Sequence, residues 1–166
     1  MFVLGIDPGL SRCGYGCVES RPEGPRAVAI GVITTPPANP LPERLAELQA
    51  ELRSLLAELR PDTVAIERVF FQVNVRTAMS VGQASGLAMA EAVAAGCEVV
   101  QYTPNQVKEA VAGHGAADKE QVQTMVQTLL GLAAPPRPAD AADAAALALC
   151  HLAYEPTRRA VARATR

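Results

Sequence analysis

The sequence contains no tryptophan, and aromatic residues make up only 4% of its 166 residues. It has no uninterrupted apolar run of the roughly 18 to 20 residues that a membrane-spanning helix needs. No basic segment precedes an apolar one at its start, so a secretory signal peptide is not predicted. The length is that of one domain, and the hydrophobic fraction of 49% is enough for one sizeable core. These features favour a single-domain cytoplasmic protein.

Cysteine and histidine are too few and too scattered to suggest a zinc centre. The four cysteines form no Cys-x-x-Cys pair, and the two histidines lie far apart. Structural zinc sites need four such ligands at short, regular spacings. We therefore interpret the cysteines as small, reduced core residues of a cytosolic protein.

Lysine is the scarcest basic residue, and the net charge is −2 with a pI near 5.7. An acidic balance argues mildly against nucleic-acid binding, since such domains are often basic. The basic residues are nevertheless clustered: the only two lysines, Lys108 and Lys119, fall in one short region, and arginines are concentrated at the C-terminus. Local basic surfaces are therefore compatible with the acidic total.

Hydrophobic periodicity divides the chain into alternating strands and helices. Strands are predicted at 2–7, 13–19, 27–34, 63–67 and 98–102. Helices are predicted at 41–59, 75–95, 104–112, 118–130 and 139–154. The first three strands fit an antiparallel meander, and the strand–helix–strand order after them fits a crossover unit with parallel strands. We expect one α/β domain over residues 1–154 and a basic, mobile tail over 155–166.

Four carboxylates stand where charge is unfavourable unless it is used. Asp7 and Glu67 each end an apolar strand, and Asp140 and Asp143 lie three apart on a predicted helix, where side chains are neighbours. A buried charge must be paired or bind a metal, and no lysine or arginine is evident within these runs. Any one of them alone is more often a turn or cap residue, as the Pro8-Gly9 turn after Asp7 illustrates. Together, they predict a shared metal site.

Oxygen-only ligands suit hard divalent ions, Mg²⁺ or Mn²⁺. Two such ions in one site are typical of phosphoryl-transfer enzymes, in which an activated water attacks phosphorus and the leaving oxygen is stabilised. Hydrolysis of this kind in DNA would leave a 5′-phosphate and a 3′-hydroxyl. Lys119 or His114 is a candidate for assisting the proton transfer, although His114 more simply belongs to a glycine turn.

The same residues carry a family resemblance, in order, over about residues 1–152. The motifs are Gly5-Ile6-Asp7-Pro8-Gly9, Gly14-Tyr15-Gly16, Ala65-Ile66-Glu67 with Phe70, Gln106-Val107-Lys108, Gly113-His114-Gly115, Lys119 and Asp140-Ala141-Ala142-Asp143-Ala144. In this ordered set the chain resembles the RuvC Holliday-junction resolvases. The resemblance implies a ribonuclease H-like fold, a five-stranded mixed sheet flanked by helices.

The resemblance also implies an activity and its residues. It implies a homodimeric endonuclease that makes paired symmetric nicks in four-way DNA junctions and works beside a branch-migration motor. The catalytic and metal-binding acids would be Asp7, Glu67, Asp140 and Asp143. Phe70 would stack on a base near the junction point, and Lys108 and Lys119 would contact DNA. Phe71 is predicted to pack in the core, because adjacent positions in an extended loop point opposite ways. Arg76 and Arg12 are weaker candidates for phosphate contacts, because a solvated surface position explains either.

Three other functions compete with this interpretation. Actin-like ATPases also open with a strand, an aspartate and a glycine turn, but they need two such lobes, for which the chain is too short. A DNA-binding module that recognises junction shape would not need the four acids. A ribonuclease H-like nuclease acting on RNA is the closest rival, and only the resemblance argues against it. For the dimer, the helix around Gly82 to Met89 is the candidate interface, because small residues permit close approach.

Overall fold

The structure is a computed structural model that describes residues 1–68 and 75–164. Within these residues the strands are β1 (Phe2–Asp7), β2 (Arg12–Glu19), β3 (Arg26–Thr34), β4 (Thr63–Glu67) and β5 (Glu98–Tyr102). The helices there are α1 (Leu41–Leu59), α2 (Val75–Ala94), α3 (Pro104–Ala112), α4 (Lys119–Leu129) and α5 (Ala139–Ala164). Every predicted strand is present, with bounds that differ from the prediction by no more than one residue.

The described strands form one five-stranded sheet in the order β3-β2-β1-β4-β5. Strands β1 to β3 pair in antiparallel fashion, whereas β4 runs parallel to both β1 and β5. The predicted meander and the predicted crossover are therefore confirmed. The central strand β1 is buried on both faces, which explains its uninterrupted apolar sequence.

Alternate residues of the strands serve two separate cores. Leu4 and Ile6 of β1 pack into a cluster with α1 and α2, whereas Val3 belongs to a cluster built around α5. This alternation follows from the two-residue period of a strand. The sheet is thus covered on one face by α1 and α2 and on the other by α3, α4 and α5.

Helix α5 lies directly on the backbone of the sheet because glycines face it. A Cβ atom at Gly5 would overlap the backbone oxygen of Ala144, and one at Gly14 would overlap that of Asp140. At Gly16 it would collide with the backbone of Ala145. These strand glycines therefore permit a close backbone approach, and the approaching element is the helix that carries two of the four acids.

The prediction that the last helix ends near residue 154 was wrong, because α5 continues to Ala164. Ion pairs hold the additional turns: Arg159 pairs with Glu155 within the helix at 2.6 Å, and Arg158 reaches Glu98 of β5 at 2.5 Å. Pairs four apart on a helix face are the favourable spacing. None of the helices in the described part of the chain is long and apolar enough to cross a membrane.

Candidate active site

Asp7 and Glu67 lie side by side at one end of the sheet, as the last residues of the inner strands β1 and β4. Their predecessors, Ile6 and Ile66, are direct partners in the parallel β1–β4 ladder, so the two acids follow at the same level. Neighbouring strands lie about 4.8 Å apart. Because Ile6 and Ile66 belong to the core beneath α1 and α2, the next residue on each strand projects toward α5.

The first turns of α5 bring the other two acids to the same end of the sheet. Gly14 is the cross-strand partner of Asp7, and it is also the residue on which the backbone of Asp140 rests. Asp143 follows one helical turn later, on the same side of the helix as Asp140. The glycine contact therefore fixes the start of α5 beside the end of β1, which brings all four predicted acids to one place.

The electrostatics of the four carboxylates follow from their burial and their proximity. The pKa of Asp7 is raised from 3.8 to about 7, first by burial and then by the charges of Glu67, Asp143 and Asp140, while Lys119 opposes the shift. Burial likewise raises the pKa of Glu67, and the charge of Asp143 adds to it. A carboxylate whose charged form is disfavoured in this way lacks a sufficient positive partner.

Two basic side chains nevertheless reach the acids from other elements. Arg12 Nε lies 3.2 Å from Asp140 Oδ2, and Lys119 Nζ lies 2.6 Å from Asp143 Oδ2. The hydrogen bond to Asp143 raises the pKa of Lys119. No lysine or arginine lies within the acidic runs themselves, so these partners come from outside them. Both cations come from parts of the chain that are distant from their partners in sequence.

Lys119 is placed by the start of its own helix. Asp118 is the N-cap of α4: its side chain accepts from the backbone N–H of Gln121, whose side chain in turn accepts from the backbone N–H of Asp118. This reciprocal capping box fixes where the helix begins. The cap puts Lys119 at the first helical position, where its ammonium reaches Asp143 of α5.

The donor set fits a hard divalent cation, although its side chains do not yet form a cage. When all four acids are ionised, Arg12 and Lys119 offset two of the four negative charges. Carboxylate oxygens are the ligands that Mg²⁺ and Mn²⁺ prefer. Among residues 1–68 and 75–164, however, no three acidic, histidine or cysteine side chains are arranged to hold an ion. Asp140 and Asp143 instead pair with Arg12 and Lys119, so a metal ion at these carboxylates would compete with both basic groups.

The loop that follows Asp7 is held in place from behind. Thr35 donates its hydroxyl to the carbonyl of Leu10 at 2.6 Å, and Arg44 of α1 donates to the hydroxyls of Thr35 and Ser11 at 3.0 and 2.7 Å. Thr35 is almost fully buried. Sequence spacing gave no indication of this network, because its members come from three separate segments. It fixes the turn between Asp7 and Arg12.

The remaining predicted residues are less closely tied to the acids. Phe70 lies outside the described residues, and so does the side chain of Arg76. Lys108 is half-buried on α3, and His114 is exposed on the loop between α3 and α4. His114 lines a shallow groove with α4 residues such as Gln121. Within the described ranges, no ion pair joins Lys108 or His114 to the four acids.

Comparison with known proteins agrees with this geometry. The family model for crossover junction endodeoxyribonuclease RuvC matches residues 3–151. A relative of that description from Salinispora arenicola is 54% identical over 99% of this chain and 94% of its own length. One from Chloroflexus aggregans is 51% identical over 95% and 96%, respectively. The solved structure of T. thermophilus RuvC in complex with a Holliday junction substrate has a TM-score of 0.90 and 41% identity, covering 95% of this chain and 96% of that one. The α/β fold is thus ribonuclease H-like, as predicted, and the chain belongs to the RuvC family of crossover junction endodeoxyribonucleases.

Proposed function

We propose that this protein resolves four-way DNA junctions during recombination and repair, by cutting two strands symmetrically and leaving 5′-phosphate and 3′-hydroxyl ends. The observation that carries the proposal is the convergence of four acids at one end of the sheet of a RuvC-family chain. They are Asp7, Glu67, Asp140 and Asp143. The acids come from two adjacent strands and a helix laid across them. A site on such regular elements is rigid enough to position a phosphodiester.

The four acids are the proposed ligands of two Mg²⁺ or Mn²⁺ ions. Ions of this kind lower the pKa of a bound water and stabilise charge on a leaving oxygen. Asp7 is the central ligand, because it interacts with each of the other three acids. Lys119 is the better supported auxiliary group, since its ammonium touches Asp143 and is 61% exposed, whereas His114 contacts none of the acids in the described part of the chain.

DNA contacts are proposed for Phe70, Lys108, Lys119 and Arg76. Of these residues, Lys119 lies next to the acids, because its ammonium contacts Asp143 at the same end of the sheet. An ammonium at the rim of an acidic site is suited to a phosphate that must approach those acids. Phe70 follows Glu67 by three residues in the sequence, and stacking of its ring on a base would be worth about 1 to 3 kcal/mol.

A homodimer is the proposed assembly, with α2 as its interface. Gly82 and Gly86 have open space where a Cβ would stand, so nothing in the described part of the chain packs on them. Met79 and Val93 are 60% and 65% exposed on the same helix. A four-way junction has approximate two-fold symmetry, and a symmetric pair of chains supplies one active site for each cut. By family likeness, we add a branch-migration motor as a partner, and the DNA substrate puts the protein in the cytoplasm.

Cleavage of a synthetic mobile four-way junction tests the proposal. The junction and a linear duplex are incubated with Mg²⁺, Mn²⁺ or chelator, and the product ends are mapped. We expect paired nicks in the junction only, only with metal, and religation of the products by DNA ligase because of their 5′-phosphate ends.

Asp7→Asn should abolish cleavage yet leave junction binding intact, because it removes a metal ligand without removing a DNA contact. Asp62→Asn is the matched control. Asp62 lies at the opposite end of the sheet, where its carboxylate accepts a hydrogen bond from the backbone N–H of Phe2. An amide oxygen retains that bond. Full cleavage by Asp7→Asn, or equal cleavage of linear duplex by the wild-type protein, would contradict the proposal.

A further inference from the structure

Arg12 is the first residue of β2, and its guanidinium faces the start of α5. Strand residues two apart share a face, so Arg12 lies on the same side as Gly14, on which the backbone of Asp140 rests. The preceding residue, Ser11, is fixed by its hydrogen bond from Arg44 at 2.7 Å. The backbone therefore holds Arg12 opposite the first turn of α5 whatever its side chain does.

The ion pair between Arg12 and Asp140 is weak enough for a competing cation to displace it. The Arg12 side chain is 61% exposed and meets Asp140 through one close contact, Nε to Oδ2 at 3.2 Å, while the Asp140 side chain is 23% exposed. Exposed pairs of this kind contribute little, because water screens both charges. A two-pronged pair to a buried carboxylate, such as the one Arg53 makes with Glu91, would resist a competing cation more strongly.

We propose that Arg12 is an internal counter-cation of Asp140 that a divalent metal ion displaces, and that the released guanidinium then binds a phosphate of the junction. The proposal rests on the proposed function, since it assumes that Asp140 is a metal ligand. Asp140 is both the partner of Arg12 and one of the proposed metal ligands, so the ion pair and the metal site compete for one carboxylate.

Once released, the guanidinium has the geometry for its second role. Its planar set of N–H donors matches phosphate oxygens, which is why arginine is favoured at phosphate contacts. Arg12 lies at the same end of the sheet as the four acids, where a phosphodiester must approach to reach them. The same side chain therefore weakens metal binding in the free protein and strengthens DNA binding in the loaded one. These opposite effects separate the proposal from a purely structural role.

The first measurement is Mn²⁺ affinity without DNA, by isothermal titration calorimetry. We expect Arg12→Gln to bind Mn²⁺ about two- to fivefold more tightly than the wild-type protein, which is the value of an exposed ion pair expressed as an affinity ratio. Arg12→Lys, which keeps a cation there, should remain near the wild type. Arg137→Gln is the matched control, because Arg137 is also exposed and lies only three residues before Asp140.

The second measurement is junction affinity in the presence of Ca²⁺, by fluorescence anisotropy. Here Arg12→Gln should bind the junction more weakly than the wild type, with a shallower dependence on salt by about one phosphate contact. Circular dichroism verifies that each variant is folded.

Unchanged or weaker Mn²⁺ binding by Arg12→Gln, or equal tightening by Arg12→Lys or Arg137→Gln, would overturn the proposal while leaving the metal site intact. Unchanged junction affinity for Arg12→Gln would also overturn it. If the wild-type protein binds no Mn²⁺ and Asp7→Asn behaves identically, the proposed function itself has failed.

Discussion

Replacing Asp7 by asparagine should stabilise the metal-free protein, even though it destroys the proposed activity. In the folded chain the pKa of Asp7 is raised to about 7 from an ordinary value of 3.8, first by burial and then by Glu67 and the acids of α5. Above pH 7 the native state must therefore hold a carboxylate that prefers to be protonated. Asparagine has nearly the same shape and carries no charge, so it relieves this repulsion.

The magnitude follows from the two pKa values. The interval between 3.8 and about 7 corresponds to about 4 kcal/mol of unfavourable free energy when the group is fully ionised. Asp7 is half-buried, and the solvent that reaches it screens part of this repulsion. We expect Asp7→Asn to increase the free energy of unfolding by about 1 to 3 kcal/mol at pH 8 in EDTA.

The pH dependence gives the sign a second test. Because the native pKa is higher than the unfolded one, the native state binds more protons between the two values, and stability falls as pH rises from about 4 to 7. The advantage of Asp7→Asn should therefore grow over this interval and level off above it. Urea unfolding at several pH values measures it, with Asp62→Asn as the control.

Metal should reverse the order of stability. Saturating Mg²⁺ or Mn²⁺ stabilises the wild-type protein by mass action and stabilises the variant much less. A variant that is less stable than the wild type at pH 8 in EDTA, or whose advantage does not change with pH, would refute the reasoning that the four acids repel one another in one site.

Three further predictions concern the rest of the molecule. Gly5→Ala should lower the free energy of unfolding by about 3 kcal/mol or more in urea titrations, because its Cβ would overlap the backbone of α5. Burial lowers the pKa of His151, so the contribution of this residue to stability should decline as pH falls below 6.5; thermal unfolding at several pH values should show the wild type losing stability relative to His151→Gln over that interval. The double variant Gly82→Leu with Gly86→Leu should be folded but monomeric in sedimentation, because the proposed interface cannot close over leucine.

The leucine double variant has a matched control, and each of the three predictions has a contradicting result. Ala57→Leu adds the same side chain to an exposed position of α1 and should leave the sedimentation coefficient unchanged. A dimer that survives leucine at both glycines would place the interface elsewhere. An unaltered pH slope for His151→Gln, or a Gly5→Ala protein as stable as the wild type, would show that the corresponding packing is not what the structure describes.

The sequence predicts the sheet and most helix ends because these depend on local chemistry. Uninterrupted apolar runs mark buried strands, and Asp118, Pro104 and Pro61 mark where helices begin or end. The length of α5 was underestimated, because the ion pair between Arg158 and Glu98 joins residues 60 apart. No local pattern shows that a polar segment will find such a partner.

The candidate site divides in the same way. The four acids are predictable, because carboxylates at the ends of buried strands are rare enough to be informative. Their basic partners are not: the pairing of Arg12 with Asp140 depends on how α5 is set across β2, and that depends on glycines whose role is visible only when the helix is in place.

The continuity of α5 has a spatial consequence for the basic C-terminus. At 1.5 Å per residue, the helix carries Arg163 about 35 Å from Asp140. Arg159 already reaches Met1, at the end of the sheet remote from the cut strand. The N-terminal end of α5 therefore contributes acids to the active site, and its C-terminal end carries arginines that contact something else. Whatever these arginines bind, a distal duplex arm or another protein, it is not the phosphodiester being hydrolysed. Trimming the chain after residue 154 should accordingly spare the chemical step.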